Sequence, residues 1–127
     1  MNAILNGLRI VEGSAFIAAQ MCGMTLAQLG ADVIRFDQLG GGLDYHRWPV
    51  TSDNTSIYWA EMNKGKRSIA VDLKSAAGRE VVTALICAEG PEGGIFSTNL
   101  PARGWLGYET LSANRPDLIQ HEIIGDR

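Results

Sequence analysis

Lys64, Lys66 and Arg67 stand together in "NKGKR", Asn63 to Arg67, directly before an apolar stretch. Cations beside a sheet crevice suit a phosphorylated ligand. Asn99 and Arg103, in "NLPARG", add amide and guanidinium donors of the kind that hold phosphate or amide groups. A further segment, "LGADVIRFDQLGGG" from Leu29 to Gly42, ends a strand pattern in an acid and three successive glycines. Glycine lets backbone and ligand approach with no Cβ between them. Four aspartates could attack a carbonyl: Asp37, Asp44, Asp72 and Asp117. Each reads first as a turn or capping residue, so no catalytic residue is assigned.

Other chemistries find less support. A Rossmann dinucleotide turn needs three spaced glycines, and the first turn here, "EGSAF", offers Gly13 alone. Asp37 could mimic a ribose-binding acid, but without those glycines a nicotinamide cofactor is not expected. Cys22, Cys87, His46 and His121 lack ligand spacing, so no metal is expected. Both cysteines lie in apolar helical patterns and read as buried small hydrophobes.

The elements that must position these residues alternate. "LRIV", Leu8 to Val11, reads as a short buried strand. Phe16 to Leu29 is rich in helix formers, with Ser14 as its expected N-cap and Gly30 as its C′ glycine. Asp32 to Phe36 is the second strand, completing a βαβ unit. Gly40 to Glu61 reads as a long irregular loop holding Tyr45, Trp48, Tyr58 and Trp59. Ser68 to Leu73 is a third strand. A second helix follows, capped by Ser75, with Val81, Val82, Leu85 and Ile86 at helical spacing. Ile95 to Asn99, "YETLSAN" and "DLIQHEII" then give strand, helix and strand. The pattern predicts an α/β fold, a Rossmann-like open and mostly parallel sheet with flanking helices. Ligands of such sheets bind beyond the carboxyl ends of the strands. Three exits are polar: "EGSAF", "DQLGGG" and "NLPARG". Only three helices are expected for five strands, although a doubly wound sheet needs both faces covered. Either another chain covers the remaining surface, or these residues are the front portion of a longer protein.

Composition bounds the rest. A chain of 127 residues is one domain by length. Apolar residues make up 46%, which excludes a disordered chain. A net charge of −3 gives no nucleic-acid footprint. No apolar run approaches the ~20 residues that span a bilayer, and "MNAILNGLRI" lacks a signal-peptide pattern. The expectation is a cytoplasmic protein with no membrane or nucleic-acid partner.

Three blocks carry a resemblance: "LNGLRIVEGSAFIAAQMCGMTLAQLGADVIRFD", "NKGKRSIAVDLKSAAGRE" and "NLPARGWLGYETLSANRPDLI". They are similar to successive blocks of the class III CoA-transferases, a family that includes 2-methylacyl-CoA racemases and carnitine and formyl-CoA transferases. The resemblance spans essentially the whole chain. Its most specific part is LxxLGAxVI with a following cation and acid, then NxxKRSIxxDL some thirty residues later. Within the family, "VEGSAF", "GGGLDYHRWPV" and "PARGWLGYE" look most like mesaconyl-CoA C1–C4 CoA transferases.

The resemblance implies a Rossmann-like large domain, of which residues 1–127 would be the N-terminal part, and a small domain absent here. It implies an interlocked homodimer and acyl-CoA as substrate, with no covalently bound cofactor. In the transferases an aspartate attacks the thioester, giving a mixed anhydride and CoA thiolate, which splits one transfer into two easier steps. Matched position by position, the family's CoA-groove block falls on Met62, Asn63, Lys66 and Arg67. Its Asn-Phe pair falls on Asn99 and Leu100, and a later basic position on Arg103. The "DQLGGG" exit matches the loop beside the nucleotide end of CoA. Gln38 replaces an Arg or Pro common in the family, and Ala19-Gln20 replaces a Gly-Pro. The family's nucleophilic Asp would lie beyond Arg127. A racemase-like fragment and a non-catalytic CoA- or partner-binding module stand as alternatives.

Overall fold

The computed structural model describes residues 3–125. Five strands form one parallel sheet: β1 (Arg9–Gly13), β2 (Asp32–Gln38), β3 (Arg67–Val71), β4 (Ile95–Thr98) and β5 (Ile119–Glu122). Their order is β3-β2-β1-β4-β5. The chain winds from β1 to one edge, returns to the other side of β1, and winds outward again. This reversal between β1 and β4 is the switch point at which open sheets leave a crevice.

Right-handed crossovers put successive helices on opposite faces once the winding direction reverses. Helix α1 (Ala18–Gln28) lies on one face, with Leu26 and Ala27 packed on Ile10 and Val33. Helices α3 (Ala76–Ile86) and α4 (Tyr108–Asn114) lie on the other. There Val82, Ile86 and Leu111 pack on Val11, Phe36 and Phe96, the main core. Phe36 and Phe96 stack with ring centroids 6.1 Å apart.

The α/β parallel sheet agrees with the expectation, and the strand boundaries differ by a few residues. Ser75 caps α3 as its position suggests, its hydroxyl accepting from the Gly78 N–H at 2.9 Å. Gly30 follows α1 with φ +105°. Three features differ. Ser14 does not cap α1; its hydroxyl donates instead to the Glu12 carboxylate at 2.6 Å. Cys22 and Cys87 are half-buried rather than enclosed. The loop after β2 contains a helix, α2 (Ile57–Met62), capped by Ser56, whose hydroxyl accepts from the Trp59 N–H at 3.1 Å. Six residues, three of them β-branched or aromatic, are too few to show helical periodicity.

Candidate functional site

At the carboxyl edge, the exits of the first four strands surround a crevice of about 260 Å³. Ala15 comes from the turn after β1; Gln38 ends β2, and Gly42 and Leu43 follow it; Leu73 follows β3 and Leu100 follows β4. The β1 and β4 exits are tied by two side chains. Asn99 accepts from the Ala15 N–H at 2.8 Å and donates to the Ala15 carbonyl at 2.7 Å. Thr98 donates to the Gly13 carbonyl at 2.6 Å and accepts from the Leu100 N–H at 3.0 Å. The floor is apolar and one wall is glycine backbone. Exposed Lys74 and Arg103 follow Leu73 and Leu100 in the chain. Among the described residues neither side chain makes a hydrogen bond or ion pair.

Beneath this edge lies a buried charge cluster. Strand alternation puts Glu12, Arg35 and Asp37 on the α1 face, and register places Glu12 beside Arg35. Arg35 is fully buried, and each of its five N–H donors has an acceptor. Nε and Nη2 hold Asp37 at 2.7 and 2.9 Å. Nη2 also reaches the Ser14 carbonyl at 3.1 Å, and Nη1 the Ser14 hydroxyl and Asn63 Oδ1 at 3.2 and 3.0 Å. Lys66 is likewise saturated. Its ammonium donates to Glu12 at 2.8 Å, the Gln20 carbonyl at 2.8 Å and Asn63 Oδ1 at 3.0 Å. Two cations thus face three carboxylates, Glu12, Asp37 and Asp44, a formal charge of −1.

Burial governs how these groups titrate. It pushes the Glu12 carboxyl above its usual range, against the pull of Lys66. It also pushes Lys66 below the usual ammonium range, against the opposing pull of Glu12. Burial alone would lower Arg35, but its bonds to Asp37 outweigh that and raise it. Among the described residues, Glu12 Oε2 has no hydrogen-bond partner. It sits against Gly23 of α1, where an added Cβ would lie only 1.6 Å away. The helix can therefore lie on the carboxylate only with glycine there.

The glycine exit after β2 meets the same cluster. A Cβ on Gly42 would lie 2.6 Å from Asp37 Oδ1. The loop rests on the Arg35–Asp37 pair, and its bare backbone forms the crevice wall above.

These contacts divide the expected site residues among three places. Asn99 and Leu100 are at the crevice, and Arg103 follows them. Met62 ends α2 and Asn63 caps it; Asn63 and Lys66 lie in the cluster, inward of the crevice. Lys66 thus differs from a phosphate ligand facing solvent: its side chain is 2% exposed and all three donors are taken. Arg67 begins β3 at the opposite, amino edge of the sheet, where it pairs with Asp32 at 2.8 and 2.5 Å. Of the four aspartates, Asp37 and Asp44 are buried, Asp72 accepts from the Lys74 N–H at 3.0 Å, and Asp117 pairs with Arg115 at 3.0 Å.

Sequence reasoning passed over Arg35, Glu12 and Lys74, noted Gln20 only as a departure from the family, and read Asp44 as a turn residue. Alternation within "DVIRFD" was the available signal for Arg35 and Asp37 sharing a face. For Lys74 it was the rule of carboxyl ends, applied to "VDLK" after β3 as to the other exits. Among the described residues no group of three His, Cys, Asp or Glu is placed to hold a metal, and no helix is long and apolar enough to cross a membrane.

Known proteins share this fold. Residues 5–125 match the family model of CoA-transferase family III. The chain is 62% identical, over its full length, to 2-methylfumaryl-CoA isomerase of Chloroflexus aurantiacus, covering 31% of that protein. It is 33% identical to succinyl-CoA:mesaconate CoA-transferase of Haloarcula hispanica, over 95% of the chain and 32% of the relative. A crystal structure of a CAIB/BAIF family protein from Brucella suis superposes with a TM-score of 0.84 at 33% identity, over 98% of this chain and 34% of that one. The chain therefore spans about a third of the length of the relatives it matches. With the family match running through every strand that borders the crevice, the chain belongs to CoA-transferase family III.

Proposed function

We propose that these residues form the CoA-binding platform of an enzyme that moves CoA between the C1 and C4 carboxyl groups of 2-methylfumaryl-CoA. The crevice at the carboxyl edge carries this reading. Leu73 and Leu100 offer apolar surface to an adenine or pantetheine chain, and glycine backbone allows close approach. Lys74 and Arg103 are exposed cations with no internal partner among the described residues, so their donors are available to phosphates. In this reading Asn99, Leu100 and Arg103 meet the ligand. Met62, Asn63 and Lys66 support the platform, and Arg67 lies away from it. The 62% identity to 2-methylfumaryl-CoA isomerase supports the substrate. The attacking carboxylate comes from outside residues 1–127, because Asp37, the carboxylate lining the crevice, is held by two bonds from Arg35. The full protein is read as a cytoplasmic homodimer.

Calorimetric titration with CoA tests the platform. Charge-assisted phosphate contacts contribute ~1.5–3 kcal/mol each, so Lys74→Ala with Arg103→Ala weakens binding by roughly 10²- to 10⁴-fold. Unchanged affinity in that double variant rejects the crevice. Turnover of an acyl-CoA by residues 1–127 alone, abolished by one of their own Asp→Asn changes, rejects the assignment of the carboxylate.

A further inference from the structure

We propose that Asp44 is a positioning residue, a buried latch that joins the turn after β1 to the glycine loop and holds Phe16 in a left-handed backbone conformation. The inference rests on the CoA reading of the crevice, whose walls include both segments. Asp44 is fully buried although it sits in a loop of exposed neighbours. Its Oδ2 accepts from the Phe16 N–H at 3.1 Å and from the Gln20 side-chain amide. Its Oδ1 lies 3.6 Å from Arg35 Nη2. One carboxylate thus gathers the first turn, helix α1 and strand β2 around the loop that carries it.

Phe16 shows what the latch holds. Its φ is +63°, in the region that favours glycine. No glycine stands there, and the residue is 47% exposed, so burial does not account for the conformation. Polar contacts do. Asn99 grips both backbone groups of Ala15, and Asp44 grips the next N–H. Releasing Asp44 lets Phe16 return to a right-handed or extended backbone and draws Ala15 out of the crevice wall. The same release frees Leu43, the wall residue next to Asp44 in the chain. The cost of a left-handed non-glycine residue makes the competent form a minority of roughly one part in 5 to 30 once the latch is gone. Apparent affinity falls by the same factor.

A double-mutant cycle in this chain, combining Asp44→Ala with Phe16→Gly, tests the idea. It is read by CoA titration and by hydrogen exchange at residue 16. Asp44→Ala weakens CoA binding by roughly 5- to 30-fold in the wild-type background and by less than about threefold in the Phe16→Gly background, because glycine needs no holding. Asp44→Asn keeps an acceptor for the Phe16 N–H and loses less than Asp44→Ala, which separates the latch bond from the charge. Equal losses with and without Phe16→Gly, or no loss at all, overturn the latch. If wild type binds no CoA, the CoA reading fails by itself. The latch is then decided by exchange: the residue-16 amide is protected in wild type and fast in Asp44→Ala, and fast exchange in wild type overturns it.

Discussion

Replacing Lys66 by alanine separates a phosphate ligand from a structural cation. The side chain makes three charge-assisted hydrogen bonds, at 2.8, 2.8 and 3.0 Å, and is 2% exposed. Its loss leaves Arg35 alone against Glu12, Asp37 and Asp44, and the formal charge of the cluster goes from −1 to −2. Removing one partner of a buried pair costs about 3–5 kcal/mol, because the remaining charge stays in a medium that solvates it poorly. A domain of this size has roughly 5–15 kcal/mol in total, so the loss consumes much of its stability. Urea unfolding followed by tryptophan fluorescence measures it, with the midpoint falling and the slope unchanged. CoA affinity of the folded fraction is measured alongside. Destabilisation below about 1 kcal/mol together with a large loss of affinity overturns the structural role, since that is the behaviour of a ligand contact.

Three further outcomes follow from the same contacts. Burial raises Glu12, so its contribution is fully present below its unfolded value of 4.5 and is lost as pH rises through the folded value. Glu12→Gln therefore flattens the decline of stability with rising pH above 4.5, and an unaltered profile in urea unfolding across that range contradicts a titrating Glu12. Gly23→Ala forces a methyl onto Glu12 and costs about 1–3 kcal/mol by overpacking, whereas an exposed helical glycine would gain from the same change; an increase in melting temperature opposes the close packing. Arg67→Ala breaks only an exposed pair, and its effect on stability stays within about 1 kcal/mol, with CoA affinity held within about twofold. A larger fall in affinity returns Arg67 to the binding site.

The order of strands and helices was legible because it depends on local signals. Apolar β-branched runs, the Ser75 cap and Gly30 each act within a few residues of themselves. Helix α2 was not legible, since six residues give no periodicity and only Ser56 marks its start. Glycines in the loop after β2 were visible, but their reason was not: Gly42 answers to Asp37, whose carboxylate lies against it.

Residue types and spacing were enough for an α/β chain and a parallel sheet with its polar exits; the family, and with it the attention to Asn99 and Leu100 as a pair at the β4 exit, came from the resemblance of three sequence blocks. Which charges face a ligand depended on how the chain packs. Lys66 and Arg67 are adjacent, yet one points beneath α1 to Glu12, more than fifty residues away, and the other pairs with Asp32 at the amino edge. Alternation along an extended strand turns neighbouring side chains to opposite faces, and only the packing of α1 over one face makes that difference a buried ion pair rather than a solvated one.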